Sequence, residues 1–219
     1  MKRLILIISA LAFSLTTYAQ KDFGAITIRI NQTLEDSDLL VNCNDYYSGK
    51  FIVRSGNEVY QLNFFSGFGA NCLEIFNERN EIKKNGISAY DRKTGEALMP
   101  EYMVPMKIDW DCLEPILHEV FPLCSFKPQM DKDKNRIRMD MKIDPDTFTV
   151  IEVNFVCYYP DNDRSIFSLP PSKIRQLETL IKKRIVAEFP MPIEHLHESR
   201  RNASYQIAFC GFSFTELIL

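Results

Sequence analysis

Residues 136–158 read RIRMDMKIDPDTFTVIEVNFVCY, and this stretch decides the fold. Two strand-like runs, Arg136 to Ile143 and Thr147 to Tyr158, are separated by Asp144-Pro145-Asp146, where Pro145 pre-sets φ for a turn. The spacing predicts a β-hairpin. In its second strand, period-two alternation sets Ile151, Val153, Phe155 and Cys157 on one face and Glu152 and Asn154 on the other.

Downstream, Leu169-Pro170-Pro171-Ser172 opens a predicted helix running to about Glu188. Its apolar residues Ile174, Leu177, Ile181 and Ile185 recur at spacings of three and four, and Glu178 and Lys182 stand at i, i+4. Pro190 and Pro192 are the expected stop. Tyr205 to Phe214 is apolar on both faces, the pattern of a covered central strand. From residue 136 onward the order is therefore strand, strand, helix, strand.

Upstream, Asp111 to Phe121 (DCLEPILHEVF) reads as a short helix. Asp111 and Glu114 have capping-box spacing, and Leu113, Ile116, Leu117 and Val120 form an apolar stripe. Residues 23–105 read as strands joined by tight turns. Ala25 to Ile30 is a predicted strand, and Phe51-Ile52-Val53 and Val59 to Phe64 flank a turn at Ser55-Gly56-Asn57. Tyr60, Leu62 and Phe64 share one face of that second strand, opposite Gln61 and Asn63. Asn85-Gly86 and Asp91 to Gly95 are further turn signals. The fold class is α+β: a β-rich part over 20–105, then a part over 106–219 in which a helix precedes a ββαβ unit. The alternative is one continuous domain over 20–219.

The first twenty residues, MKRLILIISALAFSLTTYAQ, have the layout of a secretory signal peptide. Lys2 and Arg3 form the basic region, Leu4 to Leu15 the apolar one, and Thr17-Tyr18-Ala19 puts small residues before a cut between Ala19 and Gln20. The expected mature chain is exported, periplasmic or extracellular, and starts at Gln20. Loss of Lys2 and Arg3 moves the formal charge from −3 to −5. A mildly acidic chain with its charges mixed argues against nucleic acid as a partner, because phosphate binding needs a concentrated basic face. No second apolar run approaches the roughly 20 residues of a membrane-spanning helix. The partner is expected to be a protein or a small ligand of unspecified identity, with no nucleic acid, no membrane span and an open oligomeric state.

Six cysteines in an exported chain invite a disulfide reading, but their spacings are irregular and no CxxC pair occurs. Cys157 and Cys210 lie in apolar strands, where a thiol behaves as a small hydrophobe. Metal-ligand chemistry is concentrated at His195-x-His197, flanked by Glu194 and Glu198. The stretch follows two prolines and reads as a polar loop, and no third ligand is identified, so no metal and no other cofactor is expected. Asp131-x-Asp133-x-Asn135 imitates the start of a calcium loop, but Arg136 stands where Gly is needed and Lys142 where the bidentate Glu belongs. GxSxG, SxxK, HExxH and Gly-rich phosphate loops are absent.

The leader ending in Tyr18-Ala19-Gln20 resembles those of secreted Bacteroidetes proteins of unknown function. The hairpin around DPDTF, the strand VIEVNFVCYY, the helix LPPSKIRQLETLIKKRI and the closing strand YQIAFCGFSF are similar, in element order, to the C-terminal module of TonB. The departures are Thr149 and Val150 where that family carries Gly, and the lack of an anchor and a Pro-rich linker. The resemblance therefore implies only a sheet-plus-helix platform whose edge pairs with another chain.

Two functional readings follow. A non-enzymatic protein- or ligand-binding module is the expected one, and the rival is a hydrolase acting on glycans or peptides. Two facing carboxylates about 5–10 Å apart in a deep pocket would mark the rival. An exposed strand edge would mark the binding module.

Overall fold

The computed structural model describes residues 32–34, 48–67, 70–81, 89–98, 105–130, 134–160 and 169–216. The leader with its cut at Ala19 and Gln20, the strand read at 25–30, the Asn85-Gly86 turn and Asp131 to Asp133 lie outside the described residues.

The chain is α+β. The strands are β1 (Gln32–Leu34), β2 (Ser48–Ser55), β3 (Glu58–Gly67), β4 (Ala70–Asn77), β5 (Ser125–Lys127), β6 (Arg136–Ile143), β7 (Val150–Tyr159) and β8 (Gln206–Glu216). The helices are α1 (Trp110–Val120), α2 (Pro171–Arg184) and the short α3 (Glu198–Arg201). One eight-stranded sheet runs in the order β1-β2-β3-β4-β7-β6-β8-β5. All neighbours are antiparallel except β1 and β2. The β-rich and ββαβ stretches thus meet in one ladder, at the β4–β7 pairing of Leu73 with Cys157 and Ile75 with Phe155.

Alternation builds the core. Val53, Tyr60, Leu62, Leu73, Ile75, Met139, Phe155 and Cys157 are buried under the apolar faces of α1 and α2. The α1 stripe is the one read in sequence: Leu113, Ile116, Leu117 and Val120. Its cap differs. Asp109, in extended conformation, accepts from the Asp111 N–H at 3.1 Å, so the helix starts at Trp110 and Pro115 lies within it. Lys173 of α2 donates through Nζ to the Val120 carbonyl at 2.7 Å, satisfying an acceptor at the C-terminal end of α1.

The central hairpin turns on Asp144, whose Oδ1 accepts from the N–H groups of Asp146 (2.9 Å) and Thr147 (2.8 Å). These two donors hold its carboxyl below the usual carboxylate range. Phe148 sits at φ +59, a left-handed backbone uncommon for a bulky residue. It is held there by its N–H bond to the Asp144 carbonyl and by edge packing against the Phe189 ring at 5.4 Å.

Two strand and helix expectations are corrected. Ile151 does not share the core face: it is 42% exposed, while Val150 is buried. The register passes from Lys142↔Glu152 to Ile143↔Val150, so Ile151 is the extra residue of a β-bulge, which reverses the alternation there. The second helix ends at Arg184, not near Glu188. Ile185 turns extended, and Val186 and Glu188 form β-bridges to Thr149 and Lys107. Backbone pairing, not Pro190, ends the helix.

β8 lies between β6 and the three-residue β5, and its apolar faces are covered unequally. Phe212 is fully buried, whereas Phe209 is 38% exposed. A second, smaller cluster of Ala89, Leu98, Ala203, Tyr205 and Ile207 adjoins it. Beside this cluster Lys142 bonds Glu81 and Glu152 and stands 4.8 Å from the centre of the Tyr205 ring.

Arg200 of α3 is only 2% exposed, yet among the described residues none of its guanidinium nitrogens has a hydrogen-bond partner. Its nearest ring is Phe189, 5.8 Å away, and burial pushes its pKa below the usual guanidinium range. A buried charge without a counter-charge is costly. Arg200→Met is expected to raise the unfolding free energy by roughly 1–2 kcal/mol, measured by urea denaturation. A loss of stability would reveal a favourable contact of the guanidinium.

Candidate functional site

The β2–β3 hairpin and α2 meet over a pocket of about 340 Å³ lined by Glu58, Tyr60, Asn77, Arg79, Glu178, Thr179, Lys182 and Lys183. Its floor is set by sheet register. Tyr60 of β3 and Asn77 of β4 are direct cross-strand partners and point to the helix-covered side, where both are buried. A phenol and an amide at core positions each require a partner. α2 supplies it: Glu178, 3% exposed, accepts from the Tyr60 hydroxyl at 2.6 Å and from Asn77 Nδ2 at 3.5 Å. One helical turn on, Lys182 Nζ donates to the other oxygen of Glu178. Burial first, then the Glu178 charge, pushes the Tyr60 phenol well above its usual range.

The wall is built from the hairpin. Glu58 accepts from Asn77 Nδ2 at 2.7 Å and from Arg79 Nη1 at 3.0 Å, while Arg79 Nη2 donates to the Asn57 carbonyl at 3.2 Å. The turn depends on Gly56 for two reasons. Its φ is +59, and a Cβ there would lie 1.7 Å from Nη1 of Arg175 on α2. The hairpin tip and the helix therefore approach closely beside the pocket.

The two carboxylates share Asn77 Nδ2 as a donor, which holds one oxygen of each within about 6 Å of the other, near the separation used by paired acids in glycoside hydrolysis. Their pairing opposes that chemistry. Each oxygen of both acids already accepts a hydrogen bond, and each acid faces a cation, Lys182 for Glu178 and Arg79 for Glu58. Glu178 is in addition almost fully withdrawn from solvent. The arrangement holds a charged, pre-organised floor, with Glu178 committed to Tyr60, Asn77 and Lys182.

The residues singled out in sequence lie elsewhere. His195 closes a 3₁₀ turn, Ile193–His195, and His197 precedes α3; both are exposed. Among the described residues, no group of three or more His, Cys, Asp or Glu side chains is placed to hold a metal ion. His118 lies on α1, 3.9 Å from Glu114, with its ring edge against Phe126. Cys112, Cys157 and Cys210 are free thiols, and burial pushes those of Cys157 and Cys210 up. Among the described residues the two outermost strands of the sheet, β1 and β5, have three residues each. Of the pocket residues, the sequence marked only the Glu178–Lys182 pair and the inward face of Tyr60. Tyr60 and Glu178 are 118 positions apart, so no local pattern joins them.

No known protein family matches the sequence, and no curated protein matches it. Among solved structures, the chain is similar to the crystal structure of a DUF5043 family protein from Bacteroides uniformis. The two share 16% identity at a TM-score of 0.49, over 82% of this chain and 96% of that one.

Proposed function

We propose that the chain is an exported, non-enzymatic protein that binds a small polar ligand in the pocket between the β2–β3 hairpin and α2. One observation carries this reading: each oxygen of both pocket carboxylates accepts a hydrogen bond from the protein and each acid is paired with a cation, so the pocket offers fixed polar groups. Export is supported by the leader composition, with cleavage after Ala19. The closeness of Glu58 and Glu178 keeps a second reading in play, a hydrolase of glycans or peptides.

Turnover assays on a panel of glycosides and peptides separate the two. The expected result is no turnover by the wild-type protein. Hydrolysis that disappears in Glu58→Gln, with the thermal transition preserved, would establish the hydrolase instead. N-terminal sequencing of protein exported with its leader is expected to begin at Gln20.

A further inference from the structure

We infer that the ligand of this pocket is a small anion, one presenting carboxylate, sulfate or phosphate oxygens to Lys183, Lys182 and Arg79; this rests on the binding reading above. Every oxygen of the two acids already accepts from a group of the protein, whereas the cations keep N–H donors to spare. Among the described residues Lys183 makes no ion pair or hydrogen bond, and it lines the pocket from the exposed side of α2. Lys182 uses one of its three donors on Glu178 and is 33% exposed at the side chain. Arg79 spends one N–H of Nη1 and one of Nη2, leaving three of its five N–H donors, and its side chain is 70% exposed.

The last turn of α2 shows why this matters. Its three cations are Lys182, Lys183 and Arg184, a position favoured by the helix dipole. Lys182 pairs with Glu178 and Arg184 with Glu119, whereas Lys183 faces the pocket without a counter-charge. With three cations against two acids, the lining carries an excess positive charge. Arg175, which abuts Gly56, adds to it from the side. Thr179 completes the rim: its hydroxyl donates to the Arg175 carbonyl, so its oxygen still accepts from a ligand hydroxyl. A partly enclosed set of unspent N–H donors around a pre-formed floor selects acceptor oxygens bearing negative charge.

The test is calorimetric titration of the purified full chain with inorganic phosphate, inorganic sulfate, glucuronate and glucose at fixed ionic strength. At least one of the three anions is expected to bind, glucose is expected not to, and which anion binds identifies the oxygen chemistry. Lys183→Ala and Arg79→Ala, both at exposed side chains, are each expected to weaken that binding at least tenfold, and added salt to weaken it further. Unchanged affinity in both variants would overturn the site assignment. Binding of glucose but of no anion would overturn the anionic ligand and leave the binding reading standing. Failure of all four probes to bind would overturn the inference, and turnover in the hydrolase assay would overturn the binding reading itself.

Discussion

Phe212→Ala is expected to lower the unfolding free energy by about 4 kcal/mol. Phe212 is fully buried on β8, and its ring lies 5.4 Å from Phe214, 5.7 Å from Phe126 and 6.4 Å from Trp110. The site joins the start of α1, the edge strand β5 and the long β8. Truncation leaves a cavity bounded by three other aromatic rings, which backbone pairing on both sides of β8 prevents from collapsing. Trp110 is the single tryptophan, so its fluorescence during urea denaturation reports on this site directly. Phe209→Ala, three residues earlier and 38% exposed, is the control and is expected to cost less than about 1 kcal/mol. Equal costs at the two positions would mean that β8 is not packed as described.

The second large effect is at the pocket floor. Glu178→Ala is expected to cost about 3 kcal/mol, because it leaves the buried Tyr60 hydroxyl without its acceptor and opens space under α2. Tyr60→Phe alone is expected to cost about 1.5 kcal/mol, and close to nothing more in the Glu178→Ala background. A double-mutant cycle by chemical denaturation measures this coupling. Additive losses would show that the 2.6 Å contact is not the link between hairpin and helix. The alkaline limb gives an independent check. The Tyr60 phenol is raised in the folded state above its unfolded value of about 10, so its contribution is fully present below that pH and lost as pH rises above it. Tyr60→Phe is expected to flatten stability against pH in that range.

Legibility in the sequence differed between the fold and the site. The hairpin at 136–158 was readable because turn chemistry at Asp144-Pro145-Asp146 and alternation around it agree, and the Asp144 carboxylate does bind the turn amides. The α1 stripe was readable because its four apolar residues face one core. The bulge at Ile151 was not, since period two carries no mark of where one residue is skipped. The end of α2 was misread because its extended exit is decided by partners at Thr149 and Lys107, remote in sequence. The strands β1 and β5 carry too few residues for any periodicity.

The candidate site was almost invisible for a related reason. Glu178 and Lys182 read only as an i, i+4 pair; in the fold Glu178 is turned inward, where Tyr60 and Asn77 place a hydroxyl and an amide on the core face. Glu58 and Arg79, side by side at the open end of the β3–β4 hairpin but 21 positions apart in sequence, carry no motif at all. The histidines that did attract a functional reading stand on the surface instead, outside any described cluster of ligating side chains.

The sequence by itself determined what local physics controls: turns from Pro, Asp and Gly, helix and strand faces from periodicity, and hence an α+β chain. Only the tertiary structure decided that β4 pairs with β7 to make one sheet, and that a hairpin turn meets the last turns of α2 over a charged floor. Those outcomes depend on satisfying buried polar groups with partners about a hundred residues away, as Asn77 and Glu178 are, and no window of neighbouring residues encodes such a requirement.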